Sequence, residues 1–205
     1  MSTLAQVIRD GMAADVRMGH GTNVGALKAT SLNVGTDGSE LEMIVDTMTE
    51  GSGFTGTGAA IEQAVTKIGG LFKTEILIDL TGLNGGGTAD DIIGKDGQAN
   101  CHFGQITAAK NGAIFAGEMR CLEAPAGSNI DVDLNAATVA TGVEDADVKG
   151  LAGHAQLLNA GNWTVNTFKG LTAFPAANTY LYLSSGTATS ATFTAGIFVI
   201  TLWGK

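Results

Sequence analysis

The sequence predicts an all-β protein, an antiparallel β-sandwich preceded by an extended N-terminal arm that carries a short helix. Two observations predict it. Segments of strand length recur at roughly ten-residue spacing and are separated by glycine-rich turns, the pattern of a two-sheet fold. The chain also holds 30 glycines but only two prolines among 205 residues, which suits many tight turns rather than a proline-rich disordered chain. With 44% hydrophobic residues, a chain of this length can fill one core, or one domain plus an arm.

The elements follow in order. Leu4, Val7 and Ile8 fall at i, i+3 and i+4 after Ser2 and Thr3, which predicts a short amphipathic helix ending before Gly11. From Gly19 to Gly58 the runs GHGTNVG, NVGTDGSE and EGSGFTGTG read as loop, with one candidate strand at Leu41 to Thr47. Residues 1–65 are therefore expected to form the arm and residues 66–205 the sandwich. Ala59 to Ile68 is ambiguous, because Ile61, Val65 and Ile68 fit a helical face while Gly69-Gly70 leads into a strand. LFKTEILIDL, residues 71–80, is a clear strand with Phe72, Thr74, Ile76, Ile78 and Leu80 on one face. Thr88 is placed to cap one helical turn. Further strands are predicted at 129–134, 154–158, 163–168, 179–183 and 193–203. Ile197 to Trp203 is apolar on both faces, so it is expected to be central and covered on both sides.

Residues 101–121, CHFGQITAAKNGAIFAGEMRC, hold the only two cysteines. Lys110-Asn111-Gly112 is a turn signal, since Asn and Gly accept positive φ. A two-residue turn sets His102 opposite Cys121; a three-residue turn sets Cys101 opposite Cys121. The second register gathers Cys101, Phe103, Phe115, Met119 and Cys121 on one face, and burial favours it. Cys101 and Cys121 are then a core pair. A metal site lacks its further ligands, and a cross-strand disulfide is strained. Two reduced, buried thiols are the expected state.

Charged residues make up 15% of the chain and the net charge is −9. Such a surface is unsuited to nucleic acid or anionic membrane. The N-terminus lacks an apolar secretory core and no apolar run has membrane-span length, so a cytoplasmically made, soluble protein is expected. LTGLNGGGTADDIIG follows a strand but lacks the Lys-Ser/Thr pair of a phosphate loop. His20, His102 and His154 have no recognisable catalytic partners, and no GxSxG occurs. Asp131, Asp133, Glu144, Asp145 and Asp147 have the ligand type for calcium, but a solvated strand face explains Asp131 and Asp133 more simply. Of Trp163, Tyr180, Tyr182 and Trp203, the two tyrosines share a face and are the candidates for exposed aromatic contact. No catalytic residue, cofactor or metal is expected.

The segments FKTEILIDLTGL, DIIGKDGQANCHFGQITAAKNGAIFAGEMRCLEAPAG and LTAFPAANTYLYLSSGTATSATFTAGIFVITLWG occur in that order. Together they resemble virion structural proteins of marine tailed bacteriophages over about the last two-thirds of the chain. The resemblance implies a sandwich or jelly-roll body, location in a virion assembled in the bacterial cytoplasm, and no catalytic residues. It leads to the expectation of a capsid decoration protein. Such a protein would be a homotrimer docked on the phage major capsid protein through its arm, with Leu4, Val7 and Ile8 as arm contacts. The alternative is a fibre or tail protein whose sandwich binds a glycan receptor.

Overall fold

A computed structural model describes residues 41–44, 48–55 and 60–205. The expected N-terminal helix, with Leu4, Val7 and Ile8, lies outside the described residues. Among the described residues ten strands form two antiparallel sheets. They are β1 (Leu41–Ile44), β2 (Ala60–Ile68), β3 (Leu71–Asp79), β4 (Gln105–Ile106), β5 (Ile114–Ala126), β6 (Val132–Ala137), β7 (Ala155–Leu158), β8 (Phe168–Gly170), β9 (Thr179–Ser185) and β10 (Ala195–Gly204). The large sheet has the order β1-β2-β3-β10-β5-β8 and the small sheet β4-β9-β6-β7. Among the described residues the helical content is one turn, α1 (Ala108–Asn111), and a 3-10 turn at Val148–Gly150.

The ambiguous segment before Gly69 is a strand. Gly69 and Gly70 both take positive φ, 55° and 85°, and close a two-residue hairpin that sets Ile68 opposite Leu71. Only such a turn matches the twist of the two strands it joins. The residues that would have shared a helical face, Ile61 and Val65, instead face the sandwich interior with Gln63 between them. The expected boundary between residues 65 and 66 therefore falls inside β2. Met48 and Phe54, upstream of that boundary, are part of the main core.

In β3 the predicted alternation holds. Thr74, Ile76 and Ile78, with Leu80 beyond the strand, are fully buried. Phe198, Ile200 and Leu202 of β10 and Met119 and Cys121 of β5 complete this wall. The small sheet contributes Val132, Leu134, Ala136, Leu157, Leu181 and Leu183 from the other side. Trp163 closes one end, with its ring edge-on to Phe198 at 5.2 Å and its indole N–H donating to the Val132 carbonyl at 2.8 Å. Burying both parts of the indole in this way leaves no polar atom unpaired.

The expected 101–122 hairpin does not form. β4 and β5 lie in different sheets, and Lys110-Asn111-Gly112 ends α1. Thr107 caps this turn by accepting from the Lys110 N–H, while the Thr107 N–H donates to Asn111 Oδ1. The Asn111 amide is buried and donates to Thr74 Oγ1 at 2.9 Å, which bolts the crossover onto β3. Gly112 does take positive φ (68°), as the turn signal requires, but as a helix stop. Consequently Cys121 is opposite Phe198, and Cys101 lies in a loop away from it.

Three further expectations are revised. Thr88 does not cap a helical turn. Its N–H donates to the Asp91 carboxylate in a reverse turn, after which Asp91 and Ile92 bridge to Asp147 and Ser184. Trp163 sits in a loop, and the strand predicted there is only Phe168–Gly170. β10 is central, but its two faces are covered unequally: inward Phe198, Ile200 and Leu202 are fully buried, whereas outward Ile197, Val199 and Trp203 are half-buried around buried Thr201.

From β3 onward the pairing is nested: β3 with β10, β4 with β9, β5 with β8, and β6 with β7. The outer face of the small sheet is not open to water. Segments near residues 90–102 and 140–151 lie over it and form a second small core of Ile92, Cys101, Ala137, Val148 and Tyr182.

Candidate functional site

Two surfaces stand out, a cleft at the edge of the small sheet and the open outer face of the large sheet. The cleft has a volume of about 350 Å3. Its walls come from residues 48–50, from the 102–110 crossover, and from Ala140 and Tyr180. Backbone bonds from the Phe103 N–H to Leu181 O (3.0 Å) and from the Leu181 N–H to Gly104 O (2.9 Å) hold the crossover along β9. The 48–54 segment is pinned on top by the Gly51 N–H donating to His102 O at 2.8 Å. A Cβ on Gly51 would lie 1.9 Å from the Asn100 carbonyl oxygen, so only glycine permits this approach.

His102 is 7% exposed and forms part of the cleft wall. Its ring meets Tyr180 edge-on at 4.8 Å and Tyr182 at 6.2 Å. Its Nδ1 is buried and has no hydrogen-bond partner among the described residues. Burial lowers its pKa from the ordinary histidine value, and the Glu50 carboxylate offsets part of this. Glu50, Gln105 and Thr107 add a carboxylate, an amide and a hydroxyl to the same walls.

Of the two tyrosines, Tyr180 is half-buried on the cleft. Tyr182 is not an exposed contact. It is fully buried beneath the 140–148 segment, and its hydroxyl donates to Val139 O at 2.6 Å. Burial pushes its pKa up to about 12.

Both cysteines are free and buried, but in separate clusters. Cys101 sits against Gly53 and Gly94, where any Cβ would be about 2.5 Å from its sulfur. Its thiol donates to Gln98 O, and burial raises its pKa to about 11. Burial and Glu123 raise the Cys121 pKa as well. Neither is placed as a nucleophile, since reactivity follows the thiolate.

The acidic residues are dispersed, each on its own backbone donor. Asp145 accepts from the Gly87 N–H, Asp147 from Lys149 and Glu144 from Gly97. Asp133 does not lie on a solvated face. It is 1% exposed, and its carboxylate accepts from the Ala160 N–H at 2.6 Å and from the Gln156 amide at 3.3 Å. Burial raises its pKa to about 6, with neighbouring Asp131 and Asp90 adding to the effect. Among the described residues no group of three or more His, Cys, Asp or Glu is arranged to hold a metal ion.

The second surface is the outer face of the large sheet. Glu62, Leu77, Val199, Arg120 and Phe168 lie side by side across five strands. Ile197 and Trp203 extend the apolar centre along β10, and Trp203 lies between Lys73 and Ala116. Charged residues rim it, with ion pairs Lys73–Glu75 (2.8 Å) and Arg120–Glu118 (3.4 Å). The Arg120 guanidinium stacks on Phe168 at 5.1 Å. Sequence periodicity marks β10 as apolar on both sides but not which side stays open. The cleft was not legible at all, because its residues come from four separated segments.

Comparison with protein-family models, with characterised proteins and with solved structures gives no match. Among the described residues no helix is long and apolar enough to cross a membrane.

Proposed function

We propose that the chain is a structural protein of a bacteriophage virion. In this reading it is a capsid decoration protein whose body is a jelly roll. It packs against copies of itself in a homotrimer, and its N-terminal residues attach to the major capsid protein. The observation that carries this reading is the half-buried apolar stripe of Leu77, Ile197, Val199 and Trp203 on the outer face of the large sheet, interrupted at Thr201. The stripe is flanked by Glu62, Lys73 and Arg120 and crossed at Thr201 by Glu75 and Glu118, a mixture of apolar and charged groups that suits a protein interface. Five strands at about 4.8 Å and about 20 Å of strand length give a face of about 480 Å2 in projection. That is the same order as the ~800 Å2 per partner of a standard interface. The occupant is another copy of this chain, which in a three-fold ring meets this face with a different surface of its own, since closed cyclic symmetry is the default for soluble homo-oligomers.

The winding supports the same reading. Eight strands whose pairs nest from β3–β10 down to β6–β7 are those of one long hairpin rolled into two sheets. This nesting supports the jelly-roll reading, a plan used by viral capsid and lectin domains. The low charge and the sequence resemblance to tailed-phage virion proteins agree with it. The test is light scattering on the purified full chain. A mass three times that of the protomer is expected, and Val199→Glu should reduce it to the protomer mass without loss of β signal. A monomeric wild type contradicts this use of the face, and a dimer contradicts the trimer.

A further inference from the structure

We propose that the cleft beside β4 binds a single sugar ring, as the terminal unit of a glycan. This goes beyond the structural role, and a failure here leaves the self-association test untouched. A volume of about 350 Å3 suits one small ligand and lies near the lower end of the ~300–1,000 Å3 range of ligand pockets. The walls alternate in character as a sugar does. The half-buried Tyr180 ring offers apolar surface to the C–H face of a pyranose. Glu50 and Gln105 offer acceptors to its hydroxyls. Thr107 already accepts from the Lys110 N–H, so its own proton is left to donate. His102, 7% exposed, backs this wall and sets its ring edge-on to Tyr180 at 4.8 Å, which fixes the tyrosine ring where a sugar would stack. The wall holds both Glu50 and Lys110, so its charges of opposite sign select neither a cation nor an anion, and a wholly apolar ligand would strand the polar groups without partners.

The experiment is saturation-transfer NMR on the full chain with D-glucose, D-galactose, D-mannose and N-acetyl-D-glucosamine. Each is taken to about 50 mM, which reaches millimolar Kd values. At least one sugar should receive saturation at its ring protons and shift the ring signals of His102 and Tyr180. Glu50→Gln should weaken that sugar at least ~10-fold, about 1.4 kcal/mol, with an unchanged melting temperature. Asp96→Asn on an exposed loop should bind as the wild type does. No transfer from any of the four sugars, shifts confined to residues away from the cleft, or binding that survives Glu50→Gln would overturn the proposal. Should Glu50→Gln melt early, the His102 and Tyr180 shifts in the unaltered protein decide the question.

Discussion

Asp133 is a carboxylate folded away from water between a backbone N–H and a glutamine amide, and the fold holds its proton to about pH 6. The unfolded chain releases that proton near 3.8. Between those values the folded state binds more protons, so this residue's contribution is full below about pH 4 and is lost as pH rises through 6. Asp133→Asn keeps an acceptor for the Ala160 N–H, and the Gln156 amide can turn to meet it. The variant should gain about 2–3 kcal/mol at pH 7.5, from two pKa units at about 1.4 kcal/mol each. It should also lose the decline in melting temperature between pH 4 and 6.5. The cysteines make a second prediction at this scale. With both thiols buried and raised in pKa, neither Cys101 nor Cys121 should react with a thiol reagent in the folded protein, and both should react in denaturant. Their burial was legible because cysteine behaves as a small apolar side chain. The burial of Asp133 was not, since alternation on β6 marks two faces and cannot show that a later segment covers the polar one.

The crossover from β4 to β5 shows what local signals resolve at the level of an element. Lys110-Asn111-Gly112 signals a reversal with positive φ, and Gly112 has it. A hairpin and a capped single turn of helix share that signal. What separates them is tertiary: the buried bond from Asn111 to Thr74, which no local pattern contains. At Gly69-Gly70 the turn is a hairpin, which the sequence did not show, because the residues before it also fit a helical face and only the strand after it was legible. The two turns should respond differently to substitution. A Cβ on Gly112 would lie 2.8 Å from the Lys205 backbone and from Phe72, whereas one on Gly69 meets nothing within 4 Å. Gly69→Ala should therefore cost only the positive-φ strain, about 1 kcal/mol. Gly112→Ala adds a clash with backbone and should cost about 3 kcal/mol or more. Urea denaturation of the two variants checks the order, and equal losses would mean that the crossover is free to shift.

For the whole molecule, the sandwich class was legible from strand spacing, while the division at residue 65 was not the one the fold makes. β1 and β2 extend the large sheet, and Met48 and Phe54 fill its core. A glycine-rich composition reads as arm because it lacks a long apolar run, yet single side chains inserted between sheets are enough to bind such a segment to the body. Removing residues 1–65 should therefore destabilise the sandwich by several kcal/mol, on the scale of about 3–5 kcal/mol for losing a buried Phe alone. Removing residues 1–40 should leave the described body folded and abolish its attachment to particles. Circular dichroism and co-sedimentation with capsids separate the two outcomes. The central claim is that this chain coats a phage head as a symmetric oligomer, and the most direct measurement is a cryo-electron reconstruction of the particle that carries it. The account predicts a regular lattice of jelly-roll trimers over the shell, with the Leu77–Val199–Trp203 face buried between copies. A few copies at one vertex or on the tail, or particles without the protein, would contradict it.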